Sequence, residues 1–123
     1  LKIYIAHSLG LSDYVAEYVK RLEKEGNKVY FPHRDTSQNA TPTIILLENW
    51  RGIKWCDEVH VIWNGKSFGT IFDLGNAYAI GKPIFVECIV GVEEELKKLY
   101  KRSWYSYLYK NVGKYLDGTE RKC

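Results

Sequence analysis

The chain has little of what marks several protein classes. Its three cysteines, Cys56, Cys88 and Cys123, are odd in number, widely spaced and without a C-x-x-C pair. That pattern argues against a disulfide framework or a structural zinc site, and free thiols are expected. No apolar run approaches the roughly 20 residues of a membrane span, and no cationic signal segment opens the sequence. Cytoplasmic residence and no membrane partner follow as expectations. An excess of one charge is also missing. The formal net charge of +3 is too mild for a nucleic-acid footprint, though it tolerates an anionic small molecule.

What is present suits an ordered globular chain. Hydrophobic residues make up 46% and charged residues 27% of 123 positions, enough for one core and too few for two. A single domain spanning 1–123 is expected.

Periodicity divides the chain. "KIYIA" (2–6) is a β-rich run, followed by "SDYVAEYVKRLEKEG", whose Val15, Tyr18, Val19 and Leu22 fall at helical spacing. Ser12 is placed to cap that helix, Asp13 to suit its positive end and Gly26 to stop it. "KVYFP" (28–32) is a second strand, the polar segment 33–41 a loop, and "TPTIILLENWRGIKW" a helix. In that helix Thr41 caps, Pro42 sits in the first turn, and Leu46, Trp50 and Ile53 form the apolar face. "EVHVIW" (58–63) is a third strand, a helix runs from about Ile71 to Ile80 before Gly81, and "KPIFVEC" is a fourth strand. After Cys88 a helix to about Arg102 gives way to an ambiguous stretch in which Trp104, Tyr105, Tyr107 and Tyr109 are either core or a covered patch. Alternation of this kind predicts an α/β class, flavodoxin-like or Rossmann-like, with a parallel sheet of four to five strands and helices on both faces.

In such a sheet a ligand lies beyond the carboxyl ends of the strands, where the strand order reverses. With the order 2-1-3-4-5 that point falls between strands one and three. The loops leaving them, "AHSLGLS" (6–12) and "NGKSFGT" (64–70), should therefore face each other. Both lead into helices, whose unpaired N–H groups favour an anion, and Ser8, Ser67 and Lys66 are candidate side-chain contributors. Ser and Gly are also simply what tight strand-to-helix turns use. "GKS" at 65–67 is not a P-loop, because His60 stands where the earlier glycine is required. "HRD" at 33–35 lacks the companion motifs of a kinase.

Asp73 has two readings. With Thr70 three positions earlier it fits a capping box; alternatively its carboxylate sits at the mouth of the switch point near Tyr4, able to attack a glycosidic carbon.

The motifs "IYIAHSL" (3–9) and "SFGTIFDLGNAYAIGKPI" (67–84) resemble the nucleoside 2-deoxyribosyltransferase family, particularly its branch of 2′-deoxynucleoside 5′-monophosphate N-glycosidases. The resemblance spans most of residues 2–86. It implies that Tyr4 orients a nucleophile at Asp73, within the run Gly69, Asp73, Leu74, Gly75, Ala77 that is similar to the family's G-x-x-x-E-L-G-x-A. It also implies that Ser8 and Ser67 hold a 5′-phosphate. The chain departs from the pattern twice. Asp replaces the nucleophilic Glu, shortening the carboxylate by about 1.5 Å, and a misplacement near 1 Å can cost on the order of a hundredfold in rate. Asn49 stands where the family has an aspartate that assists the departing base; Glu48, next to it, projects about 100° away.

The implied activity is an N-glycosidase or deoxyribosyltransferase, catalysed by Asp73 and Tyr4, with Ser8, His7, Lys66, Ser67, Gly69 and Asn49 contacting substrate. No metal or cofactor is needed. His7 and His33 lie near the mouth and are able to donate a proton, whereas His60, inside an apolar strand, is structural. Trp63 and Tyr78 are expected in the core rather than stacked on a base. The resemblance further implies a homodimer or higher homo-oligomer and a nucleoside or nucleotide as the small-molecule partner. Two other readings use the same residues: a non-catalytic nucleotide-binding sensor or interaction module, favoured by Asp73 and Asn49, and single-stranded nucleic-acid binding by the basic aromatic C-terminal segment, which is not the expected partner.

Overall fold

Strand pairing fixes where everything else goes. A computed structural model describes residues 1–89, 98 and 101–105. Strands β1 (Lys2–His7), β2 (Lys28–Tyr30), β3 (Glu58–Trp63) and β4 (Ile84–Ile89) form one all-parallel sheet in the order β2-β1-β3-β4. This is the expected α/β arrangement; a fifth strand would fall outside the described residues. Helix α1 (Ser12–Lys24) covers one face, while α3 (Pro42–Trp55) and α4 (Phe68–Ala79) pack on each other and cover the opposite face. No helix among the described residues is long and apolar enough to cross a membrane.

The two-residue period of a strand divides the core. Ile3, Ile5 and Ile62 face α1 with Val15, Tyr18, Val19 and Leu22, whereas Tyr4, Ala6, Val59, Val61 and Trp63 face α3 and α4 with Ile53, Leu74 and Ala77. Each such aliphatic side chain contributes about 1.5–3 kcal/mol when fully buried. In β4 the register against β3 slips between Val61 and Ile62, so Val86 and Cys88, two apart, pack on opposite faces.

Several local expectations change. Ser12 is the first residue of α1 rather than its cap, because a 3₁₀ turn, Leu9–Leu11, already leads into the helix and the Ser12 hydroxyl donates to the Leu9 carbonyl. Part of the supposed loop 33–41 belongs to a short helix, α2 (Pro32–Asp35). Pro32 presets its first φ, and the Asp35 carboxylate accepts the Phe31 N–H at 3.0 Å. Leu46 is exposed, since only the C-terminal half of α3, around Gly52 and Ile53, is buried on the sheet. Tyr78 is exposed, not core. Cys56 is a free buried thiol, but Cys88 is disulfide-bonded, which linear spacing does not reveal. Trp63 is core, with Trp104 and Tyr105 against its ring, and Tyr105 is itself buried. The expected helix over 90–102 and residues Tyr107 and Tyr109 lie outside the described residues, apart from 98, 101 and 102.

Gly52 is the contact that lets α3 lie down on the sheet. A Cβ there would stand 2.9 Å from the Tyr30 ring and 3.0 Å from the Tyr4 ring. Tyr4 is fully buried and cannot retreat. Gly52→Ala should therefore destabilise the protein by about 1–3 kcal/mol, measured by denaturant unfolding. Gly75→Ala, in the same kind of helical position but facing open space, should instead be neutral or stabilising by up to about 1 kcal/mol.

Candidate active site

The loops after β1 and β3 meet at the carboxyl end of the sheet. The Ser8 N–H donates to the Ile62 carbonyl at 3.1 Å, and the Asn64 N–H donates to the Ser8 hydroxyl at 3.0 Å. Ser8 is only 1% exposed, so its hydroxyl ties the two loops together. Asn64 shapes the second loop: its Oδ1 accepts the N–H groups of Lys66 and Ser67 at 2.9 and 3.0 Å, an Asx turn that leads into α4.

Helix α4 starts one turn earlier than its apolar periodicity suggests. Ser67 is its cap, accepting the Thr70 N–H at 3.4 Å and the Thr70 hydroxyl at 3.1 Å. The capping-box reading of Thr70 and Asp73 is thereby overturned. Asp73 lies beyond the first turn, and its Oδ2 accepts a 2.8 Å hydrogen bond from the Tyr4 hydroxyl across the interface between sheet and helix. The carboxyl makes no other hydrogen bond among the described residues, and none of their buried side-chain oxygens lacks a partner. Oδ1 is therefore the oxygen that keeps contact with solvent.

Burial pushes the Asp73 carboxyl up to about 6, against the opposing effect of the Tyr4 hydrogen bond. It is ionised at neutral pH yet poorly solvated. Burial first, and then the adjacent Asp73 charge, raises the Tyr4 phenol far above its ordinary range, so Tyr4 stays a neutral donor.

Tyr4 is itself held. It pairs in register with Tyr30 on β2, and the two rings stack at 5.5 Å and 11° beneath Gly52. The Tyr30 hydroxyl lies 2.6 Å from the Thr36 hydroxyl, which donates to Asn49 Oδ1 at 2.6 Å. A continuous chain thus runs from Asn49 through Thr36 and Tyr30 to Tyr4 and Asp73. Glu48 turns away from it and accepts the Ser37 N–H and hydroxyl at 2.7 and 2.9 Å.

The remaining candidates are placed as follows. His7 is buried at the end of β1, its Nδ1 against the Ser8 carbonyl at 3.2 Å and its Nε2 accepting the His33 N–H at 3.4 Å; burial pushes its pKa down, keeping it neutral. Ser67 is half-buried, while Lys66 and Gly69 are exposed around the start of α4. His33 is exposed on α2. His60 is held between the Tyr18 hydroxyl at 2.6 Å and Glu58 at 2.9 Å, on the face away from Asp73. Among the described residues no His, Cys, Asp and Glu cluster is suited to a metal. Tyr30, Thr36 and Gly52 escaped the reading of the sequence. Gly52 offered a signal, since a glycine inside an amphipathic helix costs about 1 kcal/mol and calls for a packing reason.

Because the folded-state pKa of Asp73 exceeds its unfolded value near 3.8, the folded protein binds more protons between about pH 4 and 6. Stability should fall as pH rises through that window, losing up to about 3 kcal/mol at 1.36 kcal/mol per pH unit. Asp73→Asn, which keeps an acceptor for Tyr4, should abolish that slope and unfold at higher denaturant than wild type at pH 7.5. Superimposable curves for the two proteins would contradict a desolvated carboxylate.

Neither a family model nor a curated protein sequence matches the chain. Solved structures do. A 2-deoxyribosyltransferase from Bacillus psychrosaccharolyticus superposes with a TM-score of 0.60 at 25% identity, over 70% of this chain and 71% of that one. A CMP N-glycosidase from Clostridium botulinum superposes with a TM-score of 0.60 at 19% identity, over 93% of this chain and 81% of that one.

Proposed function

We propose that this chain, a structural relative of the nucleoside 2-deoxyribosyltransferase family, cleaves the bond between base and sugar of 2′-deoxynucleosides or their 5′-monophosphates, with Asp73 as nucleophile. The observation that carries the reading is the 2.8 Å bond from Tyr4 to Asp73, two residues 69 apart in sequence. It holds one carboxylate oxygen at the switch point and leaves the other directed to solvent. A buried carboxylate with a single neutral donor is a stronger nucleophile than a fully solvated one, because less water must be displaced as it attacks.

The reaction runs in two displacements. Asp73 Oδ1 bonds to the anomeric carbon as the C1′–N bond breaks and its electron pair leaves with the base. Water, or a second base, then attacks the same carbon from the opposite face and releases the carboxylate. Tyr4 keeps its hydrogen bond to Oδ2 throughout, fixing the rotamer. The open N–H groups of the first turn of α4, with Ser67 as cap and the Lys66 ammonium nearby, suit a 5′-phosphate. Ser8 supports that pocket by binding Asn64 and presents little surface of its own.

Incubation with a panel of deoxynucleosides and their monophosphates, followed by chromatography of free base, tests the reading. Activity should rise with pH through about 6 as Asp73 ionises, Asp73→Asn should abolish it, and Tyr4→Phe should reduce kcat by on the order of tenfold or more. Base release unchanged in Asp73→Asn would remove the nucleophile.

A second reading, a nucleotide-binding module without turnover, draws on Asn49, whose side chain has no proton to give. Saturable binding of deoxynucleotides by a protein that releases no base would select it.

A further inference from the structure

Tyr4 meets Asp73 only while its ring stays where it is. The bond is made at the far end of the side chain, where a small tilt of the ring has its largest effect. A shift of about 1 Å would stretch the 2.8 Å contact beyond hydrogen-bonding distance, and a misplacement of that size can cost on the order of a hundredfold in rate.

The ring is backed from the neighbouring strand. Tyr30 is the register partner of Tyr4, and its ring lies on that of Tyr4 at 5.5 Å and only 11° from parallel. Gly52 closes over both: a Cβ there would stand 2.9 Å from Tyr30 Cδ1 and 3.0 Å from Tyr4 Cδ2 and Cε2. The far end of Tyr30 is fixed as well. Thr36 is buried and gives its one hydroxyl proton to Asn49 Oδ1 at 2.6 Å, so in the 2.6 Å contact between Thr36 and Tyr30 the phenol is the donor. Tyr30 is thus pinned at one end by β2 and at the other by the connection between α2 and α3.

We propose that Tyr30 is a positioning residue: its ring backs that of Tyr4 and keeps the Tyr4 hydroxyl on Asp73. Its effect on rate rests on Asp73 being the nucleophile, as proposed above; the positioning itself is readable without turnover. Other titratable groups on the elements packed around this pair are engaged elsewhere or exposed. His7 on β1 has both ring nitrogens occupied, and the Cys56 thiol donates to the Ile53 carbonyl. Asp35 on α2 binds the Phe31 N–H and Arg34, and Glu48 on α3 binds Ser37 twice. His33 and Lys66 are exposed. Among the described residues Tyr4 therefore makes the hydrogen bond that opposes burial at Asp73, and losing it moves the carboxyl upward from about 6.

The test follows the Asp73 titration by carbon NMR of carboxyl-labelled aspartate, beside base release from the deoxynucleoside panel. Tyr30→Leu removes the flat face. It should raise the Asp73 midpoint, as Tyr4→Phe does, carry the acid limb of the pH–rate profile upward with it, and lower kcat by about tenfold or more with KM little changed. In a Tyr4→Phe background the same substitution should add little, because it acts through a bond already lost. Tyr30→Phe keeps the ring and should stay within about threefold of the wild-type rate. Tyr30→Ile, whose branched side chain suits a strand, carries the test should the leucine variant not fold. An Asp73 midpoint unchanged in Tyr30→Leu, or a shift of full size in the Tyr4→Phe background, overturns the proposal while leaving Asp73 as nucleophile. No base released by wild type, with the midpoint still raised in Tyr30→Leu, overturns the nucleophile and leaves the positioning in place.

Discussion

One hydrogen bond, from a fully buried tyrosine on the first strand to a nearly buried aspartate on the last helix of the site, organises the candidate chemistry. It works because Tyr4 has nowhere else to go. Tyr30 stacks on one face of its ring and Gly52 brings the third helix down on it. The phenol, held neutral by burial, is a permanent donor to Asp73. A carboxylate in that position is desolvated at a cost to folding.

The second constraint is that two loops must be held against each other. Ser8 and Asn64 tie them together through backbone and hydroxyl hydrogen bonds. The Asx turn at Asn64 then delivers the chain to Ser67, and the cap at Ser67 determines where the helix begins. Had the helix begun at Ile71, Asp73 would have been engaged at its own helix terminus. One turn of helix thus separates an aspartate engaged at its own helix end from one that meets Tyr4.

The sequence resemblance matches Asp73 and Asn49 with a glutamate and an aspartate of the family pattern. The structure gives those departures physical content. The shorter carboxylate is still met by Tyr4 at normal hydrogen-bond length. The amide at position 49 is integrated into a hydroxyl chain that ends on the ring stacked against Tyr4.

Alternation of apolar strands with amphipathic helices was enough to determine the α/β class; combined with the strand order common to such sheets, which the four described strands follow, it also placed loops 6–12 and 64–70 together. The motif around Asp73 was legible too, as a choice between cap and nucleophile. Only the tertiary structure could rule out the cap. Whether Ser67 or Thr70 caps the helix depends on the loop conformation set by Asn64, and whether Asp73 meets Tyr4 depends on the height at which α4 docks on the sheet. Tyr30, Thr36 and Gly52 lay beyond local pattern for the same reason. A stacked pair across two strands, a hydroxyl bridge between two helices and a glycine against a ring are relations between distant segments, and periodicity within one segment carries no information about them.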